Sequence, residues 1–279
     1  MKILITGGSG FIGLRLYKLL KNKFHVTIFD IRQPVESEVN FISGSIHDDQ
    51  KLSESIQGKD IVIHLAAAVG VKNTETNPIT TLDTNIIGTK KILENCAKHK
   101  IKKIIFSSSS EVYGEPKKIP TDELQTPIPI TTYGISKLAG EEYVKTFAKT
   151  YNFKYSILRF FNAVGPGQSL QFVLSEFINN ALNDKPISIH GTGLQIRAFC
   201  HVDDICQGIE NSISKGDNEL FNIGNDSEPI SIENLAKKVK NILNSKSEIK
   251  FIPFNTSGRN REVEILPTLM QDKFASKRG

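Results

Sequence analysis

Thr6-Gly7-Gly8-Ser9-Gly10-Phe11-Ile12-Gly13 follows directly on the apolar run Lys2-Ile3-Leu4-Ile5 and leads into Leu14-Arg15-Leu16-Tyr17. The run reads as a strand. Beyond it, Ile12, Leu16, Leu19 and Leu20 recur at helical spacing, so the glycines occupy a strand-to-helix turn. Gly7, Gly10 and Gly13 have the spacing of a dinucleotide cradle. The first permits a tight turn, the second lets the backbone approach a pyrophosphate, and the third lets the helix pack on the strand. A pyrophosphate placed there meets the positive N-terminus of the helix beside Phe11 and Ile12.

Working outward, a second strand, Val26–Phe29, ends at Asp30. A carboxylate there accepts the adenosine ribose hydroxyls and repels a 2′-phosphate, which favours NAD over NADP, although Arg32 two residues on offers the opposite charge. A third strand, Asn40–Ile42, leads to Gly44-Ser45-Ile46-His47-Asp48, and a fourth, Ile61–Leu65, to small residues at Ala66, Ala67 and Ala68. Leu65, Ala66 and Ala67, together with Ile46, leave room for a dinucleotide across the strand ends. Further strands are predicted at Ile104–Ser107 and Tyr155–Leu158. The helices between them are predicted at Phe11–Lys21, Leu52–Ile56, Ile79–His99 and Gly134–Tyr151. Such alternation predicts an α/β, Rossmann-type doubly wound parallel sheet. After about residue 163, Gly165-Pro166-Gly167 breaks the chain and the segments shorten. Residues 1–163 are therefore read as the NAD-binding domain, and 164–279 as a smaller lid-like region, partly returning to the main sheet.

Tyr133-Gly134-Ile135-Ser136-Lys137 sets a tyrosine and a lysine four apart at a helix start, on one face. A neighbouring ammonium and a positive nicotinamide ring both favour phenolate, so the tyrosine pKa is expected to fall toward neutrality. Tyr133 then takes the proton of a sugar hydroxyl as hydride leaves its carbon. The strand before it runs into Ser107-Ser108-Ser109-Ser110-Glu111, and a serine at the carboxyl end of a parallel strand points into the ligand crevice.

The bulk composition excludes several classes. Of 279 residues, 39% are hydrophobic and 23% charged, as in ordinary globular proteins, and no apolar run is long enough for a bilayer. The apolar start meets glycines at once, unlike a signal peptide, which leaves the cytoplasm as the default compartment. Cys96, Cys200 and Cys206 lack disulfide or metal-ligand spacing, and no metal is expected. The net charge of +5 is spread along the chain, densest at Lys98, Lys100, Lys102 and Lys103. It reads as a solvated surface suited to a diphosphate-bearing substrate, with no nucleic-acid or membrane partner.

Together these motifs resemble the extended short-chain dehydrogenases/reductases of the NAD-dependent epimerase/dehydratase family, over essentially the whole chain. Further matching segments are Asn85-Ile86-Ile87-Gly88-Thr89, Arg159-Phe160-Phe161-Asn162, Arg197-Ala198-Phe199, Val202-Asp203-Asp204 and Phe221-Asn222-Ile223-Gly224. The resemblance implies NAD as cofactor and a nucleotide-diphosphate sugar as substrate. It implies Ser109, Tyr133 and Lys137 as the catalytic set, with Glu111 as a further acid/base. Asn85 and Lys137 would lie beside the nicotinamide and its ribose, Ser110 near the sugar, and Asn162, Arg197 and Arg259 at the diphosphate. Guanidinium is in any case the natural fork for phosphate. A homodimer is implied too, built as a four-helix bundle from Ile79–His99 and Gly134–Tyr151, whose apolar residues Ile86, Ile92, Leu93, Leu138, Val144 and Phe147 exceed one face.

Three departures bear on the reaction. Ser45 stands where many relatives carry an aspartate toward adenine. Ala198 replaces a frequent aspartate, as in sugar-decarboxylase-like members. The family usually continues past the position of Gly279, so the chain is either short or cut, which leaves part of the sugar-pocket wall open. The expected reaction is C4 epimerisation through a 4-keto sugar, ahead of decarboxylation of a glucuronate-type substrate and of 4,6-dehydration. A non-catalytic NAD sensor or scaffold is the rival from another class.

Overall fold

Alternate residues of β1 (Lys2–Thr6) face opposite ways, and both directions are apolar. Ile3 and Ile5 enter one core with Leu16, Leu20, Ile28, Ile63, Ile105, Leu158, Ile205 and Ile209. Leu4 enters another with Phe29, Leu52, Ile56, Val62, Ile92, Leu93, Ile104, Phe106, Val144 and Ile157. A strand buried on both faces belongs in a sheet covered by helices on both sides. The computed structural model, which describes residues 1–70, 74 and 76–253, has that architecture. β2 (His25–Asp30), β3 (Phe41–Ser43), β4 (Ile61–His64), β5 (Lys103–Ser109), β6 (Lys154–Phe160) and β11 (Glu219–Ile223) join β1 in a seven-stranded sheet, in the order β11-β6-β5-β4-β1-β2-β3. Every pairing is parallel, for example Thr6↔Phe29, Thr6↔His64 and Ser109↔Phe160.

On the first face lie α1 (Phe11–Leu20) and α7 (Val202–Ser214), joined by an Arg15–Asp203 ion pair; on the second lie α2 (Asp49–Ile56), α4 (Gly88–Lys98) and α5 (Thr132–Tyr151). β11, from the C-terminal half, completes the main sheet against β6, with Phe221 opposite Leu158. The remaining elements make a separate small core. There α6 (Val173–Leu182) and α8 (Ile232–Ile242) cover β8 (Ile187–His190) and β13 (Ile249–Ile252) through Phe177, Ile187, Ile189, Leu235 and Val239. Three short strands, β7 (Asn162–Val164), β9 (Ile196–Arg197) and β10 (Phe199–His201), lie between the two cores in sequence; β7 pairs with β10, and β9 pairs with β12 (Ile230–Ser231). No described helix is long and apolar enough to cross a membrane.

One sequence expectation needs correction, and the packing divides the residues of another between core and surface. The helix anticipated at Ile79–His99 is not uniform: α3 (Pro78–Leu82) and α4 are joined by one wide π turn, Asp83–Ile87, that holds Asn85. Of the apolar residues expected to serve a bundle, Ile92, Leu93 and Val144 are fully buried in the protein's own core. Ile86, Leu138 and Phe147 are half-buried, and the outward apolar surface also includes Ile79, Ile87 and Tyr151.

Candidate active site

The glycine turn is as tight as its spacing predicts. Gly7 has φ +71°, and a Cβ there would lie 2.6 Å from the Ala66 backbone nitrogen; one on Gly13 would lie 2.4 Å from the Gly7 carbonyl oxygen. Asp30 anchors the turn, accepting the backbone N–H of Ser9 at 3.0 Å and that of Arg32 at 3.0 Å. Ser9 Oγ is buried yet has no hydrogen-bond partner, an unsatisfied hydroxyl where a ligand oxygen would complete it. A cradle closed to any Cβ, an anchored carboxylate at the second strand end and an orphaned hydroxyl are what a dinucleotide requires, and the residues fit NAD. Ile46 is buried against Gly88, whose own Cβ would fall 2.4 Å from the Ile46 side chain. Leu65, Ala66 and Ala67 lie half-buried at the exit of β4, and Phe11 and Ile12 half-buried at the start of α1.

His64, at the end of β4, ties this cradle to the opposite face of the crevice. Thr89 Oγ1 donates to the Asn85 carbonyl at 2.6 Å, so it can only accept from His64 Nε2 at 3.0 Å. The proton therefore sits on Nε2, and Nδ1 accepts from Thr6 Oγ1 at 2.8 Å. Burial, reinforced by the charge of Lys137, pushes the imidazole down to about 3, so His64 is neutral. Asn85, also buried, accepts from Ala68 N–H at 2.7 Å and donates to Ser136 Oγ at 3.0 Å and to the Ala68 carbonyl at 3.1 Å. Ser136 in turn donates to the Tyr133 carbonyl at 2.7 Å.

Ser109 ends β5, and Tyr133 and Lys137 open α5 beside it. The Ser109 hydroxyl stands near the Tyr133 phenol and favours its ionised form, and the Lys137 ammonium donates to the Ser107 carbonyl at 2.8 Å, with its Nζ 5.8 Å from the Tyr133 ring centroid. The electrostatics differ from the expectation. Burial, and next the Glu111 carboxylate, raise the Tyr133 phenol above its ordinary value, with the Ser109 hydroxyl opposing. Burial lowers Lys137 to about 7, opposed by Glu141. The protein alone thus favours a protonated tyrosine beside a readily neutralised lysine, because both groups lie under the sheet's apolar wall. A nicotinamide cation bound in the crevice would pull the phenol downward.

Glu111 accepts from Thr131 Oγ1 at 3.0 Å, and the same hydroxyl caps α5 by accepting Gly134 N–H at 3.0 Å. Ser110 is buried beside it. The β7–β10 pairing brings two expected diphosphate residues close in the fold: Asn162 Nδ2 donates to the Ala198 carbonyl at 3.1 Å, next to Arg197, whose Nη1 donates to the Ile196 carbonyl at 2.7 Å. Arg259 lies outside the described residues. Cys96, Cys200 and Cys206 are buried thiols; burial pushes Cys200 and Cys206 each up to about 12. Thr131, His64 and Glu141 were not singled out as functional from sequence. A threonine three residues before Gly134 is a cap signal, and Glu141 lies two helical turns past Tyr133 on the same face, so both signals were present.

The model of the NAD dependent epimerase/dehydratase family matches residues 3–224. The chain belongs to this family. As one of its members it is an NAD-dependent enzyme. Among its relatives is a putative UDP-glucose 4-epimerase of Methanocaldococcus jannaschii, 37% identical, covering 99% of this chain and 92% of that protein. A dTDP-D-glucose 4,6-dehydratase of Dictyostelium discoideum is 35% identical over 86% of this chain and 62% of its own length. A solved UDP-glucose 4-epimerase of Thermotoga maritima, with UDP-glucose, superposes with a TM-score of 0.90 at 33% identity, covering 97% of this family member and 90% of that chain.

Proposed function

We propose that the chain is an NAD-dependent 4-epimerase of a nucleotide-diphosphate sugar, working through a 4-keto intermediate. The observation that carries the reading is the Ser109–Tyr133–Lys137 cluster at the end of β5 and the start of α5, with Glu111 beside it and Ser110, not a second acid, preceding Glu111. Residues 1–163 form the NAD-binding part and 164–279 mainly the nucleotide-sugar part. Gly7, Gly10, Phe11, Ile12 and Gly13 hold the pyrophosphate, Asp30 the adenosine ribose, and Ile46, Leu65, Ala66 and Ala67 the body of the dinucleotide. Asn85, Tyr133 and Lys137 face the nicotinamide end. Asn162 and Arg197, with Arg259, hold the substrate diphosphate. The chemistry that NAD supplies when bound is acceptance and return of a hydride at C4. Tyr133 takes the C4 hydroxyl proton and later gives it back, Ser109 holds the same oxygen, and Lys137 favours the phenolate.

The branch of chemistry turns on Ser110-Glu111. A 4,6-dehydratase must remove a C5 proton and protonate a departing C6 hydroxyl. Glu111 suits the base, but Ser110 is a poor acid, its hydroxyl pKa lying far above working pH. Epimerisation asks only for Tyr133, Ser109 and room for the keto sugar to turn. Decarboxylation of a sugar acid also needs no such acid, and Ser110-Glu111 with Arg197-Ala198 keeps it as the second reading. The test offers UDP-glucose, UDP-N-acetylglucosamine, UDP-glucuronate and dTDP-glucose separately, with products read by mass and NMR. A C4-inverted product supports the proposal. Carbon dioxide from UDP-glucuronate with no inverted product from any substrate favours the decarboxylase. A 4-keto-6-deoxy product shows that Ser110, or a water it holds, acts as the acid. We also assign the working form as a cytoplasmic homodimer.

A further inference from the structure

Glu141 is fully buried, although neither the cradle nor the reacting cluster needs a carboxylate there. It lies on α5 eight residues beyond Tyr133 and four beyond Lys137, so the three side chains leave the helix from one face. Its Oε1 accepts from Ser108 Oγ at 2.5 Å and from Arg159 Nε at 2.8 Å, and its Oε2 from Arg159 Nη2 at 2.7 Å. Arg159 is itself buried, its guanidinium 4.6 Å from the Tyr113 ring centroid. Ser108 is the residue between Ser107, whose carbonyl accepts Lys137 Nζ at 2.8 Å, and Ser109, whose hydroxyl meets Tyr133. Three consecutive residues of β5 therefore take Lys137, Glu141 and Tyr133. A buried ion pair is weak evidence for stability, since apolar residues of like volume often serve as well. Its place, between the two functional serines and one turn from the lysine, points to another role.

We propose that Glu141 is a positioning residue for the Tyr133–Lys137 pair. Its grip on Ser108 sets the Ser107 carbonyl, which accepts Lys137 Nζ, and the neighbouring Ser109 against α5, and its charge, one helical turn from Lys137, opposes the lysine's neutralisation. This rests on the proposed function for the roles of Tyr133 and Lys137. The groups facing Lys137 are Tyr133 and Glu141 on α5, Phe106 and the Ser107 carbonyl on β5, neutral His64 on β4, and Arg159 on β6 behind Glu141. Among these Glu141 supplies the upward pull on the lysine, against burial. Lysine is charged below its pKa, so losing Glu141 moves the alkaline loss of Lys137's charge to lower pH.

The test measures the 13Cε shift of Lys137 in lysine-labelled, cofactor-free protein, assigned by its absence in Lys137→Arg, alongside the pH profile of kcat. In Glu141→Gln, and in Glu141→Gln/Arg159→Gln, which leaves no unpaired charge, both readouts should move at least about one pH unit toward acid, an about tenfold loss of kcat above the shifted limb. Ser108→Ala keeps both charges and removes only the grip on β5. It should lower kcat severalfold with the Lys137 titration in place. A folded double variant with an unshifted Lys137 overturns the charge role, and a wild-type kcat in Ser108→Ala overturns the positioning role. If neither charge variant folds, Ser108→Ala decides. A wild type that turns over no nucleotide sugar defeats the proposed function instead, while the titration still judges Glu141.

Discussion

At the scale of single residues, the site is a problem of placing charge under an apolar sheet. Tyr133 is held protonated by burial and by Glu111, with the nearby Ser109 hydroxyl opposing. Tyr133→Phe should keep the ring's packing and the cofactor's affinity while lowering kcat by about 10²–10⁴-fold, the usual worth of a positioned acid/base. Turnover near wild type, with dinucleotide binding measured in parallel, would remove Tyr133 from the mechanism. Asp30 yields a second expectation. Its two carboxylate oxygens are tied to the backbone of Ser9 and Arg32, so the side chain cannot swing aside to admit a 2′-phosphate. NAD⁺ should therefore bind at least about tenfold more tightly than NADP⁺, since a repulsion of about 1.4 kcal/mol is a factor of ten in affinity. Calorimetric titration with each dinucleotide checks this, and equal affinities would mean that the Arg32 guanidinium decides instead.

At the scale of elements, much of the molecule was legible because local signals agreed with one another. Glycines at a strand-to-helix turn, an acid at the end of β2 and Tyr133/Lys137 four apart on one helix face are each written within one short run of residues, although their partners lie on other elements. Long-range links carried no such signal. Nothing in the sequence places Arg159 against Glu141, because the pair forms only when β6 docks beside β5 under α5. The π turn at Asp83–Ile87 was equally hidden, since one extra residue in a turn leaves apolar periodicity intact over so short a span. Asn85 makes the turn useful by joining the β4 exit to α5 through Ala68 and Ser136. His64 is the third such link, between β1, β4 and α4, and it has a measurable pH signature. Folded, its pKa is about 3; unfolded, it returns to 6.5. Below 6.5 the unfolded chain gains a proton that the folded chain refuses, so this contribution to stability is lost as pH falls from 6.5 toward 3, at up to about 1.4 kcal/mol per unit. Urea melts at pH 7, 6 and 5 should show a shallower acid decline in His64→Gln than in wild type. Parallel declines would place the acid sensitivity elsewhere.

At the scale of the whole molecule, the same packing that fills the core decides which surface is left for a partner. The parallel sheet takes Ile92, Leu93 and Val144 for its own interior, so the outward apolar surface of α3 through α5 comes from other residues. Tyr143, Phe147 and Tyr151 stack along α5 with centroids 6.2 and 5.5 Å apart. Tyr151 is 56% exposed, Ile87 43% and Ile79, on the neighbouring α3, 74%. Tyr143 and Phe147 are already partly buried against the core, so the exposed apolar area that a two-fold partner could cover comes from Tyr151, Ile87 and Ile79 with the open edges of the ladder. The charged residues around it are already matched within the chain, Lys90 to Glu94 and Lys145 to Glu142, so two copies can approach without leaving these charges unpaired. The active site lies close by in sequence, because the helix that carries the ladder also carries Tyr133 and Lys137 at its other end. The expected outcome is a mass twice the 31.0 kDa of the chain by light scattering at micromolar concentration. Phe147→Asp with Tyr151→Asp should convert it to a folded monomer, since a carboxylate at each position would have to be desolvated in the seam. A wild-type monomer at that concentration sinks the dimer. A wild-type dimer that survives both substitutions moves the interface to another face of the molecule and frees α5 from that role.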